Sequence, residues 1–145
     1  MSKLVLLVED NPDDVLFMER AFTRAEMPFP VRVARDGQQA IDDLSGAGVA
    51  AAPAATHILL DVKLPFRSGI EVLEWIRDEP RLASLPVVML TSSTERADIE
   101  RAFELGAQSY LVKPVGFPAL VVLAKAIRAW VQTGELSQLP KRPTA

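Results

Sequence analysis

The chain has 145 residues, 49% of them hydrophobic, with 16 basic and 19 acidic side chains, a net charge of −3 and no cysteine. That length and apolar content suit one domain that buries its own core, and the missing thiols exclude disulfides and thiolate metal sites. No Lys/Arg cluster marks a nucleic-acid surface, and no apolar run approaches the roughly 20 residues of a membrane span. Met1-Ser2-Lys3 leads straight into an apolar segment. That leaves no room for a signal peptide, and a cytoplasmic chain is expected.

Short apolar runs alternate with longer segments of helical period, the pattern of a parallel sheet covered by helices. The first strand is expected over 3–8 and ends in Glu9-Asp10-Asn11-Pro12. A helix follows over 12–26, with Val15, Met18, Phe22 and Ala25 at core spacing. Asn11 is a good N-cap, Pro12 suits the first turn, and Asp13 and Asp14 favour the positive helix end. The second strand is expected over 30–34, and its helix runs from Asp36-Gly37 to Leu44.

Residues 45–56 form a long connection of low complexity, expected to be mobile. The third strand, 57–60, closes on Asp61. His57 stands at its amino end and reads as a solvated loop residue, and a single histidine argues against an internal phosphohistidine relay. The third helix is expected over 69–78, with Ile70, Leu73 and Ile76 inward. Strand four, 86–90, ends in Thr91-Ser92-Ser93-Thr94; Ser92 and Glu95 have capping-box spacing, and Ser93 or Thr94 is expected to cap a helix over 94–105. Strand five, 109–112, ends in Lys113-Pro114, and a last helix covers 117–132. The sequence thus predicts a single domain over 1–132 and a polar tail over 133–145, with no output domain.

Four strands therefore deliver a polar group at their carboxyl ends. In an open parallel sheet those ends share the edge where ligands bind. Residues 11–14 are explained by helix capping, but Glu9 and Asp10 are not. Two adjacent carboxylates on a strand end repel each other unless a cation lies between them, and Mg²⁺ prefers oxygen ligands. Asp61 supplies a third carboxylate, Thr91 a hydroxyl and Lys113 an ammonium. That set suits phosphoryl transfer: Asp61 attacks phosphorus in line, with Mg²⁺, Lys113 and Thr91 neutralising the oxygens.

These motifs resemble the receiver domain of bacterial two-component response regulators. The resemblance covers residues 3–131 and rests on Val8-Glu9-Asp10-Asn11, Leu60-Asp61-Val62-Lys63-Leu64-Pro65 with Ser68-Gly69, Leu90-Thr91-Ser92, and Gly106-Ala107 leading to Tyr110-Leu111-Val112-Lys113-Pro114. It implies a flavodoxin-like (βα)5 fold with strand order 2-1-3-4-5. It also implies phosphorylation of Asp61 by a sensor histidine kinase, with Mg²⁺ held by Glu9, Asp10, Asp61 and the main-chain carbonyl of Lys63. Thr91 and Tyr110 would form the switch pair that alters the face of helix four, strand five and helix five, and the Lys113-Pro114 bond would be cis. Glu9 stands where Asp is commoner. Lys63 carries a cation where many relatives are short or neutral; its ammonium is long enough to reach the phosphate edge and alter dephosphorylation, and the sequence does not set the phosphate lifetime.

A narrower resemblance, to small regulators paired with bacterial phytochrome kinases, rests on the long loop before strand three and on Ala129-Trp130-Val131, Leu136 and Leu139-Pro140. In the last helix, Leu120, Leu123, Ile127 and Val131 form an inward stripe. Ala119, Val122, Ala126 and Trp130 form a neighbouring apolar stripe, read either as a wide core face or, in preference, as a homodimer face. A haloacid-dehalogenase-like phosphatase also uses a strand-end Asp, but it wants a second Asp where this chain has Lys63. No Gly-rich loop follows strand one, so no nucleotide fingerprint is present. A phosphorylation-independent interaction module would not need the intact acid set.

Overall fold

The computed structural model describes residues 2–46 and 53–135. The middle of the low-complexity connection, 47–52, and the tail from 136 onward, with Leu136, Leu139 and Pro140, lie outside the described residues. Ten elements alternate strictly: β1 (Val5–Val8), α1 (Pro12–Arg24), β2 (Val31–Ala34), α2 (Gly37–Ser45), β3 (His57–Leu60), α3 (Gly69–Asp78), β4 (Val87–Thr91), α4 (Arg96–Glu104), β5 (Ser109–Val112) and α5 (Phe117–Thr133). All strands pair in parallel, in the order β2-β1-β3-β4-β5. The alternation implied a parallel sheet covered by helices, and the order is that of the flavodoxin-like doubly wound sheet that the resemblance implied.

The central strands are apolar at every position except His57 and Thr91, because helices cover both faces. Successive side chains point to opposite sides. Leu6, Val8, Ile58, Leu60 and Met89 join one core with α2, α3 and α4, while Val5, Leu7, Leu59, Val88 and Leu90 join the other with α1 and α5. Both loops that enter β4 and β5 are pinned by one side chain. The Arg77 guanidinium donates to the carbonyls of Ala83, Leu85, Leu105 and Gly106.

Helix starts follow local chemistry. The Asn11 side chain accepts from the N–H groups of Asp13 and Asp14, as its sequence position suggested. Ser68 and Glu71 form a full capping box on α3. α4 departs from expectation: it begins at Arg96, and neither Ser93 nor Thr94 caps it. The Ser93 hydroxyl is instead committed to Asp98, donating to Oδ2 at 2.8 Å.

Three further expectations are corrected. The bond before Pro114 is trans, since no cis peptide occurs among the described residues. Trans is the default for X-Pro by about 0.5–1 kcal/mol, and Lys113 reaches its partners from it. The stripe Ala119, Val122, Ala126 and Trp130 does not form one exposed face. Ala126 and Trp130 are buried within the single chain, and Val122 is 68% exposed. Trp130 turns inward because it has partners there: its Nε1–H donates to Gln108 Oε1 at 2.9 Å, and the His57 ring meets it edge-on. His57 is for the same reason half-buried in β3 rather than a solvated loop residue.

Candidate functional site

Sheet hydrogen bonds continue past the strands and fix the backbones that carry the chemistry. The Glu9 N–H donates to Ala34 O, Asp61 N–H to Val8 O, and Lys113 N–H to Thr91 O. Glu9, Asp61, Thr91 and Lys113 are therefore gathered at one sheet edge. Gly69 closes the approach from below. Its N–H donates to Val62 O, and a Cβ there would stand 1.9 Å from the Asp61 carbonyl oxygen. Only glycine lets α3 start this close to the strand that presents Asp61.

Asp61 and Glu9 are almost fully buried, whereas Asp10 faces solvent. One carboxylate oxygen from each lies within 4.8 Å of the others. Lys113 Nζ is the counter-charge. It pairs closely with Glu9 Oε1, donates to Asp61 Oδ2 at 2.9 Å, and donates to Asp14 Oδ2 at 3.0 Å. Burial pulls the Lys113 pKa down, but the bonds to Glu9 and Asp61 outweigh it and hold the ammonium charged above its ordinary range. Burial raises the Glu9 pKa, against the opposing pull of Lys113 and of the Asn11 N–H. Three buried or half-buried carboxylates around one ammonium leave excess negative charge. That excess, all on hard oxygen donors, fits a divalent cation such as Mg²⁺.

The remaining members of the site lie around this cluster. Thr91 is fully buried at the end of β4, and its Oγ1 accepts from the Ser93 N–H at 3.2 Å. Tyr110 lies inward, with its hydroxyl donating to the Ser93 carbonyl at 2.9 Å. The Lys63 N–H donates to Asp61 Oδ1 at 3.3 Å. Its ammonium stands between Glu95 and Asp98 of the α4 start, at 3.6 and 3.7 Å. Asp14 is the participant that sequence reasoning missed, because its place in the first helical turn explained it already. The signal was its position on the helix that starts directly from the Glu9-Asp10 strand end. A cleft of about 240 Å³ lined by Leu7, Phe17, Met18, Phe117 and Leu120 opens beside Glu9, Asp14 and Lys113.

Comparison with known proteins agrees with this geometry. The family described as "Response regulator receiver domain" matches residues 5–125. A probable methanogenesis regulatory protein, FilR2 of Methanothrix harundinacea, is 36% identical over 127 residues, covering 88% of this chain and 82% of the relative. The phosphorylated cyanobacterial phytochrome response regulator RcpA superposes with a TM-score of 0.85 at 32% identity, covering 93% of this chain and 97% of its own. The bacteriophytochrome response regulator RtBRR is 39% identical with a TM-score of 0.75, covering 97% of this chain and 85% of its own. A strand-end acid cluster, a facing ammonium and a five-stranded sheet in the order 2-1-3-4-5 thus coincide with a match along most of the sequence, and the chain belongs to the response regulator receiver domain family.

Proposed function

We propose that Asp61 is the phosphoacceptor of this receiver, taking a phosphoryl group from a phosphohistidine of a sensor histidine kinase. An Asp61 carboxylate oxygen attacks phosphorus as the P–N bond to the donor imidazole breaks, and the departing imidazole takes up a proton. The product is an acyl phosphate, and water later attacks phosphorus to return the free carboxylate and inorganic phosphate. The observation that carries this reading is Lys113 Nζ, at 2.9 Å from Asp61 Oδ2 and braced by Glu9 and Asp14. It orients the nucleophile and offers positive charge where the phosphoryl oxygens gather. The Thr91 hydroxyl, on the adjacent strand end, would donate to the same oxygens.

Glu9, Asp10, Asp61 and the Lys63 carbonyl would hold Mg²⁺. When bound, Mg²⁺ neutralises charge between the Asp61 carboxylate and the phosphoryl oxygens. The chain acts on its own carboxylate rather than on a diffusing substrate, so we class it as a signalling protein and not an enzyme. The haloacid-dehalogenase-like alternative lacks support, because Lys63 occupies the position of the second Asp. The apolar cleft beside Lys113 offers the donor protein a surface adjoining the nucleophile. The likeness to RcpA and RtBRR favours a phytochrome-type kinase, a bacteriophytochrome, as the donor.

Intact mass after incubation with Mg²⁺ and acetyl phosphate tests the reading. One added phosphoryl group is expected, absent in Asp61→Ala and not formed when the metal is chelated beforehand. An equal adduct on Asp61→Ala would refute it.

A homodimer belongs to the same proposal. Its face on α5 is confined to Ala119 and Val122, with Ala126 and Trp130 supporting it from inside. Light scattering at tens of micromolar is expected to give twice the monomer mass, falling to the monomer mass in Val122→Glu. A monomer with and without acetyl phosphate would remove the dimer.

A further inference from the structure

We infer that Lys63 is a positioning residue that holds the first turn of α4 through Glu95 and Asp98, and that phosphorylation moves its ammonium onto the phosphoryl group and frees that turn. The inference rests on Asp61 as the phosphoacceptor and adds how the event reaches α4.

Three observations carry it. First, the Lys63 side chain joins two loops. Its backbone N–H donates to Asp61 Oδ1, and its ammonium lies 3.6 Å from Glu95 Oε1 and 3.7 Å from Asp98 Oδ2. Both distances are long, and Lys63 and Glu95 are largely exposed, so these pairs are weak. Second, the ammonium already in the site is shared. Lys113 has three N–H donors, and it faces three carboxylates, on Glu9, Asp14 and Asp61. A phosphoryl group carries about −1.5 to −2 charges in place of the single charge of the Asp61 carboxylate, and the added negative charge, two residues from Lys63, attracts its ammonium away from Glu95 and Asp98. Lys63 begins two residues from Asp61 and carries its charge on a flexible four-carbon stem.

Third, α4 is the helix with least to hold it. Ala102 is its only fully buried residue, and no side chain caps its start. Its first turn is packed by Ile99 and tied to the preceding loop through Asp98, which accepts from the Ser93 hydroxyl and faces Lys63. The Ser93 carbonyl in turn accepts from the Tyr110 hydroxyl. With Lys63 gone, Glu95 and Asp98 are left as neighbouring carboxylates with no cation between them. The turn loosens, and the bond that keeps Tyr110 inward is disturbed with it. A neutral side chain at position 63 has no such charge to transfer.

Hydrogen–deuterium exchange over residues 96–99 tests this, in full-length protein with Mg²⁺ and with or without acetyl phosphate. Intact mass on the same samples gives the phosphorylated fraction, to which the exchange is normalised. In the wild type, phosphorylation is expected to speed exchange of this turn several-fold. In Lys63→Met, and separately in Glu95→Gln/Asp98→Asn, exchange is expected to be fast already without phosphate and to change little with it. A phosphate-dependent rise of wild-type size in either variant would overturn the inference. So would a wild-type turn that does not respond while the mass shows an adduct. A wild type that takes no phosphoryl group would instead sink the phosphoacceptor reading, and this inference with it.

Discussion

Lys113 is the residue on which the site turns, because one ammonium balances Glu9, Asp14 and Asp61. Removing one partner of a buried ion pair costs more than the pair contributes, since the survivors keep their desolvation penalty. Lys113→Met is therefore expected to lower stability at neutral pH by about 2–4 kcal/mol, measured by urea unfolding, with part of the loss restored by Mg²⁺. An unchanged unfolding midpoint would mean that the carboxylates are balanced by something else. Five site residues were legible in the sequence for a simple reason. Glu9, Asp10, Asp61, Thr91 and Lys113 each stand at the carboxyl end of an apolar run, and a parallel sheet brings such ends together. The Asp14 contact was not legible, because a carboxylate in a first helical turn is already explained by the helix dipole. Nor was the position of the Lys63 ammonium, since Glu95 and Asp98 are brought to it only by the turn after β4.

At the scale of elements, α5 shows where periodicity stops being informative. The helix is apolar around most of its circumference, so spacing alone offers two candidate inward stripes. The choice is made by groups far away in sequence: Gln108 and His57 meet Trp130, and Lys3 donates to the carbonyls of Val131 and Gln132 at the helix end. His57 also links this helix to β3, with its Nδ1 beside the Thr56 hydroxyl at 2.9 Å. Burial, and then the charge of Lys3, lowers the His57 pKa below its ordinary 6.5. A histidine depressed in the folded state contributes stability that is present above 6.5 and lost as pH falls through the lowered folded value. Urea unfolding on either side of that window should show wild-type stability falling toward low pH, and falling less in His57→Gln. Equal declines in the two proteins would show that carboxylates elsewhere account for the whole effect.

At the scale of the molecule, the fold was legible almost completely. Four-residue apolar runs separated by helix-length segments admit few arrangements other than a parallel sheet with helices on both faces, and the described strands match those runs closely. The alternation leaves three choices open: which stripe of α5 turns inward, where α4 begins, and the isomer before Pro114. The first is settled by contacts between segments distant in the chain, whereas α4 begins where Ser93 bonds Asp98, and the bond before Pro114 keeps the ordinary trans form. The central claim is that this arrangement exists to phosphorylate one carboxylate, and the location of the phosphoryl group is its most direct test. Borohydride reduces an acyl phosphate to the alcohol, converting a phosphorylated aspartate to homoserine. Peptide mapping after acetyl phosphate, Mg²⁺ and borohydride is expected to find homoserine at position 61 and nowhere else. Homoserine at position 10, 13 or 14, with Asp61 intact, would contradict the account.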